Sequence, residues 1–217
     1  MSQSKSQTKS RLKELQDLLA KRILVLDGPT GTAIQKYQLS EDDYRGARFA
    51  DYAHPLQGNN DLLNITQPQI MTEILESYLA AGADFVQTNT FNATLISQAD
   101  YYFEADVVRE INLAGAKISR DLADKYTKLT PEKPRYVYGV LGPTNRTASI
   151  SPEVNNPAAR NVTFLQLAES YTQAITALHD GGVDLIMMET VFDTLNAKAA
   201  IFAHADFCEK MMLSCLS

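Results

Sequence analysis

The sequence predicts an α/β fold in which short parallel strands alternate with amphipathic helices. Three observations predict it. Short apolar runs recur at residues 23–26, 84–88, 136–140 and 183–188. Longer stretches with apolar residues at helical spacing follow each run. Glycine, proline and capping residues mark the joints between them. Strands separated by helices pair in parallel, because a parallel pair needs a crossover of about a dozen residues or more. Runs that are apolar on both faces suit a sheet covered by helices.

Taken in order, residues 1–19 are expected to be a disordered or helical lead-in. Residues 1–11 are polar, rich in Ser, Gln and Lys, and lack the apolar core of a secretory signal. Ile23-Leu24-Val25-Leu26 is expected to be a buried strand ended by Asp27-Gly28. A helix is expected over 66–81, with Thr66 and Gln69 as a capping box, Pro68 in the first turn and Gly82 just past the end. Asp84 to Thr88 is the next strand, followed by a helix over 107–126. A strand at 136–140 closes on Gly142-Pro143, and Thr163 with Gln166 forms a second capping box for a helix through Leu178. The last unit is the strand 183–188 and a helix capped by Asp193 that runs to about Lys210. A faint echo joins Gly82-Ala83-Asp84 to Gly182-Val183-Asp184, each leading into a strand. A shared helix–glycine–strand seam accounts for it more simply than a duplication.

Composition narrows the class. The 217 residues are 45% hydrophobic, enough for one sizeable core. A net charge of -6 gives no electrostatic reason to bind nucleic acid or an anionic membrane, and no apolar run approaches the ~20 residues of a membrane span. The cysteines, Cys208 and Cys215, form no CxxC pair, and a reducing cytoplasm is the expected location. His54, His179 and His204 show no ligand spacing, so no metal is expected on this chain. Four βα units do not separate an open doubly wound sheet from a barrel, and a complete (β/α)8 barrel takes roughly 250 residues.

Sites in both architectures lie at the carboxyl ends of parallel strands. The first run exits at Asp27-Gly28-Pro29-Thr30-Gly31-Thr32, which lacks the Lys of a phosphate loop and the spacing of a dinucleotide fingerprint. The second exits at Gln87-Thr88-Asn89-Thr90-Phe91, the third at Gly142-Pro143-Thr144-Asn145, the fourth at Glu189-Thr190. Asp27 and Glu189 are placed to flank an ammonium, with backbone N–H groups near Thr88 and Asn89 for a carboxylate. That arrangement is an amino-acid site. A salt bridge from Glu189 to a neighbouring Lys or Arg is the competing reading, and paired carboxylates also suggest glycoside hydrolysis. The absence of Trp places the sugar reading lower.

These stretches resemble the homocysteine methyltransferase family. Residues 22–32 are similar to its opening Asp-Gly-(Gly or Ala)-Met-Gly-Thr. Gly58-Asn59-Asn60-Asp61 with residues 63–68 resembles the Gly-Asn-Asn-Asp…Thr-Gln-Pro of the cobalamin-dependent methionine synthases. Residues 87–91, 141–145 and 189–193 resemble its Glu-Thr-Asn-Thr-Phe, Leu-Gly-Pro-Thr-Asn and Glu-Thr-(Ile or Val)-Phe-Asp. The resemblance covers roughly 20–205. It implies a TIM-type (β/α)8 barrel of which about the first half is present over 20–210, with 211–217 departing from the family pattern.

It also implies a homocysteine pocket built from Asp27, Gly28, Thr88, Asn89, Gly142 and Glu189. The family holds zinc on three cysteines that this chain lacks; zinc presents the substrate as a thiolate, the competent nucleophile. Zinc and cobalamin are therefore expected in the full-length enzyme and on neither count in this chain, for which no turnover is expected. Folate and cobalamin domains follow downstream in such enzymes. Three departures bear on this. Pro29-Thr30 replaces the residues before the second glycine. Gln87 stands where cobalamin-dependent members have Glu and betaine-dependent relatives have Gln, which keeps the betaine-using type as an alternative. The chain stops short of the zinc cysteines, which keeps a non-catalytic binding fragment as another, with sheet edges open to pairing.

Overall fold

The structure is a computed structural model that describes residues 2–211, with side chains from residue 11 onward. Cys215 and all of the 211–217 tail except Met211 lie outside the described residues.

The elements run α1 Ser2–Leu19, α2 Thr30–Gln35, α3 Glu41–Arg45, α4 Leu63–Thr66, α5 Pro68–Ala80, β1 Phe85–Gln87, α6 Leu95–Gln98, α7 Ala105–Leu129, β2 Tyr136–Leu141, α8 Phe164–Asp180, β3 Leu185–Met188 and α9 Thr194–Met211. The three strands pair in parallel in the order β1-β2-β3, with Gln87 beside Tyr138 and Leu141 beside Met188. The fold is therefore α/β with a parallel sheet, as the alternation of elements predicts. Alternate residues sort to two faces. Val86 and Val137 pack with Leu75, Leu79, Leu122 and Ala123 of α5 and α7. Leu141, Ile186 and Met188 pack with α8 and α9 through Leu167, Tyr171, Ala199 and Ala203. On the opposite face Phe85, Tyr136, Tyr138 and Val140 bury Leu15 of α1.

The expected first strand is a correction. Residues 23–26 run beside β1 without forming a regular strand. Both Asp84 N–H and Phe85 N–H donate to Val25 C=O, and Gln87 N–H donates to the Asp27 carboxylate instead of a backbone carbonyl. A side chain thus takes the place of the next ladder partner. Among the described residues no strand covers the outer side, so Ile23 is 87% exposed and Val25 56%, not buried.

The capping box expected at Thr66 is a second correction. Thr66 ends the one-turn helix α4, and its hydroxyl bonds back to Leu62 C=O at 3.4 Å. Gln67 takes the N-cap position of α5 without a side-chain bond, and Pro68 sits in the first turn. The box at Thr163 and Gln166 is present in full, and Asp193 Oδ1 accepts from Leu195 N–H and Asn196 N–H to cap α9. The lead-in residues form α1, whose Arg11 donates to both oxygens of Asp184.

The two Gly-X-Asp echoes do identical work. Gly82 and Gly182 adopt φ +104° and +93°, the left-handed turn that ends a helix most cheaply with glycine. Two residues later Asp84 N–H donates to Val25 C=O while Val25 N–H donates to the Asp84 carboxylate. Asp184 and Val137 repeat the exchange at 2.8 Å in each direction. Each carboxylate also holds arginine, Arg22 at Asp84 and Arg11 with Arg120 at Asp184. The seam is a register lock that starts a strand beside its predecessor.

Candidate functional site

The exits at Asp27, Gln87 and Glu189 converge with the loop at Asn60-Asp61 on one hollow of about 540 Å³ at the carboxyl ends of the strands. Of the residues expected in the pocket, Asp27, Gly28, Thr88, Asn89 and Glu189 line it.

Asp27 is half-buried. Its Oδ2 accepts from Gln87 N–H at 2.8 Å and its Oδ1 from Tyr138 O–H at 2.5 Å. Burial pushes its carboxyl above the ordinary value, and these hydrogen bonds oppose that push. Gly28 C=O accepts from Gln87 Nε2 at 2.5 Å. Glu189 N–H continues the ladder to Leu141 C=O, while its side chain makes no salt bridge among the described residues. The salt-bridge reading of Glu189 therefore does not hold there. Thr190, next to it, sits at φ +59°, an uncommon place for a β-branched residue.

Thr88 is bound into the sheet. Its N–H donates to Tyr138 C=O, and its hydroxyl accepts from Val140 N–H and pairs with Thr90 Oγ1 at 2.6 Å. Its amide is not available to a ligand carboxylate as expected from sequence. The Asn89 amide makes no hydrogen bond among the described residues, while its side chain donates to Asn60 C=O at 2.7 Å and holds the 60–61 loop in place. The buried Thr30 Oγ1 on the same wall has no partner among the described residues. Among the described residues no Lys, Arg or His lines the hollow, so Asp27, Asp61 and Glu189 leave it acidic and suited to a cationic group.

A family model described as homocysteine S-methyltransferase matches residues 24–217. The chain belongs to the homocysteine S-methyltransferase family. Among solved structures it is similar to the homocysteine methyltransferase MmuM from Escherichia coli. The metallated form matches at 19% identity and TM-score 0.67, over 91% of this chain and 63% of that one. The oxidized form matches at 19% identity and TM-score 0.66, over 90% and 61%. The chain thus spans about three-fifths of the solved structures it matches. At this identity the likeness is one of fold.

Within this family member, Gly142 stands behind the pocket wall, not in it. A Cβ there would fall 2.3 Å from Phe91 C=O; its N–H donates to that same carbonyl and its C=O accepts from Tyr171 O–H. The close approach, not ligand contact, requires glycine. Among the described residues no group of three or more His, Cys, Asp or Glu is placed to hold a metal ion. A zinc site therefore does not fit the described residues. No helix among them is long and apolar enough to cross a membrane.

Among the lining residues that sequence reasoning missed are Tyr138 and Asp61. Tyr138 lies mid-strand and looks like core; only the pairing of Gln87 with Tyr138 brings its hydroxyl to Asp27. Asp61 lies in the quoted Gly-Asn-Asn-Asp stretch, where a lone acid next to an apolar run was the available signal. Asp61 is 3% exposed, accepts from Asn92 N–H at 2.9 Å, and burial pushes its carboxyl up to about 7. Its native pKa lies above the unfolded value, so its favourable contribution is complete below about 4 and lost as pH rises through 7. Asp61→Asn should therefore gain stability over the wild type at pH 8, by about 3 kcal/mol, and much less at pH 4. Urea unfolding at both pH values checks this; an equal difference at the two would refute it.

Proposed function

We propose that the hollow binds the amino-acid end of homocysteine, and that the complete protein transfers a methyl group to its sulfur to make methionine. The observation that carries this is a pair of carboxylates, Asp27 and Glu189, facing one acidic hollow with no basic side chain in its wall among the described residues. Asp27 and Glu189 hold the ammonium; the unbonded Asn89 N–H and the orphan Thr30 hydroxyl serve the carboxylate. Gly28 closes the first loop, and Thr88 keeps the wall rigid by tying β1 to β2.

The cobalamin-dependent methionine synthase type is favoured by the five matching stretches. A complete enzyme of that type would draw on zinc for thiol activation and on downstream folate and cobalamin domains for the methyl group. Within that reading 20–210 is the partial barrel, the cellular location is the cytoplasm, and the chain alone does not turn over. The betaine-using type rests on Gln87, whose amide is occupied by Gly28 C=O.

Calorimetric titration of the purified chain tests the reading. L-Homocysteine is expected to bind, and 4-mercaptobutanoate, which lacks the ammonium, about a hundredfold more weakly. Equal affinity for the two, or no homocysteine binding, sinks it.

A further inference from the structure

Tyr138 reaches Asp27 across an unusual span. Gln87 of β1 is in register with Tyr138 of β2, and Asp27 lies on the far side of β1. The tyrosine thus crosses about two inter-strand spacings, roughly 10 Å. A tyrosine ring and an aspartate side chain together close that gap. Serine or threonine is too short, and phenylalanine reaches but has no proton to donate.

The contact matters because Asp27 is poorly held by its own backbone. It follows the irregular 23–26 run, which bonds to β1 only around Val25 and leaves Leu26 45% exposed. Beyond the bond from Gln87 Nε2 to Gly28 C=O, the carboxylate itself is the tie: Oδ2 to Gln87 N–H of β1 and Oδ1 to Tyr138 O–H of β2. The carboxylate is also approached by the Gln87 side-chain amide and by its own N–H, so its orientation is set by donors on three sides while Asp27 still lines the hollow. The Tyr138 ring is itself 6% exposed and packs with Phe85, so its place does not depend on Asp27.

We infer that Tyr138 is a positioning residue that orients Asp27 to receive the ammonium of an amino-acid ligand. The inference rests on the reading of the hollow as a homocysteine site. The other titratable groups that line the hollow with Asp27 and Tyr138 are Glu189 and Asp61; among the described residues no basic side chain lines it. The phenol is held protonated by burial and by Asp27, so it acts as a fixed donor.

The test has a ligand-free arm and a ligand arm. Carbon-13 NMR of aspartate-labelled chain follows Asp27 titration, assigned with Asp27→Asn. In Tyr138→Phe the Asp27 midpoint should move up by about one pH unit, because a bond to the charged form is lost. Homocysteine affinity at pH 7 should fall about tenfold, and its acid limb should move up with the midpoint. In the Asp27→Asn background Tyr138→Phe should add no further loss. An unchanged Asp27 midpoint overturns the inference, as does a loss of affinity that persists in full in the Asp27→Asn background. If wild-type chain does not bind homocysteine, the proposed function fails together with the ligand half of the inference. The NMR arm still decides whether Tyr138 holds Asp27. Should Tyr138→Phe unfold, fluorotyrosine at position 138, which lowers the phenol pKa and strengthens the donor, must shift the Asp27 midpoint downward.

Discussion

Asp184→Ala is expected to destabilise the chain by about 3–5 kcal/mol, the cost of breaking a buried ion pair from one side. The side chain is 10% exposed and accepts from Arg11 Nε at 2.5 Å, Arg120 Nη1 at 2.8 Å and Val137 N–H at 2.8 Å. Alanine leaves Arg11 without its carboxylate, leaves Arg120 with only the more exposed Asp124, and orphans a strand amide. It also removes one anchor of α1, whose Arg11 bridges Asp184 to Arg135 C=O. For a chain of this size each kcal/mol lowers Tm by about 2–4 °C, so a drop near 10 °C is expected. Asp184→Asn keeps an acceptor for Val137 N–H and should cost less than half as much. Thermal and urea unfolding of both variants distinguish them. A loss below 1 kcal/mol for Asp184→Ala would mean that water replaces the carboxylate and that the Gly-X-Asp seam is not a register lock.

Asp27→Asn combined with Glu189→Gln should weaken homocysteine binding by about a thousandfold. Each carboxylate is assigned one charge-assisted hydrogen bond to the ammonium, about 1.5–3 kcal/mol apiece. The single variants should each lose roughly tenfold to a hundredfold. Their losses should not simply add, because both groups face one cation. Wild-type affinity should also fall on acidification at a pH above the ordinary aspartate range, because burial holds the Asp27 carboxyl high and its protonated form cannot pair with the ammonium. Folding should survive, since Asn retains an acceptor for Gln87 N–H and Glu189 carries no salt bridge among the described residues. Calorimetric titration between pH 4 and 8 measures all of this. Affinity unchanged in the double variant would remove these carboxylates from the site.

The positions of β1, β2 and β3, and of α5, α7, α8 and α9, were readable because each is a local pattern: an apolar run, a helical stripe, a cap at Thr163 or Asp193. So was the placing of Asp27 and Glu189 at one end of the sheet, since parallel strands put all their exits on the same side. Local pattern failed at Ile23 to Leu26, where apolar character suggested burial but no strand among the described residues covers the outer side. It failed at Thr66, which α4 takes into its own last turn.

What the sequence determined by itself was the order of helix and strand and the chemistry available at each exit, because both follow from short-range spacing along the chain. Which groups remain available was decided only by tertiary structure. Thr88 is tied into the ladder and Gly142 is packed against Phe91, whereas Tyr138, which looks inert in the middle of β2, turns its hydroxyl across β1 onto Asp27. The physical reason is that a hydrogen-bonding group has few partners to give. Register between strands distant in sequence determines whether those partners are protein or ligand.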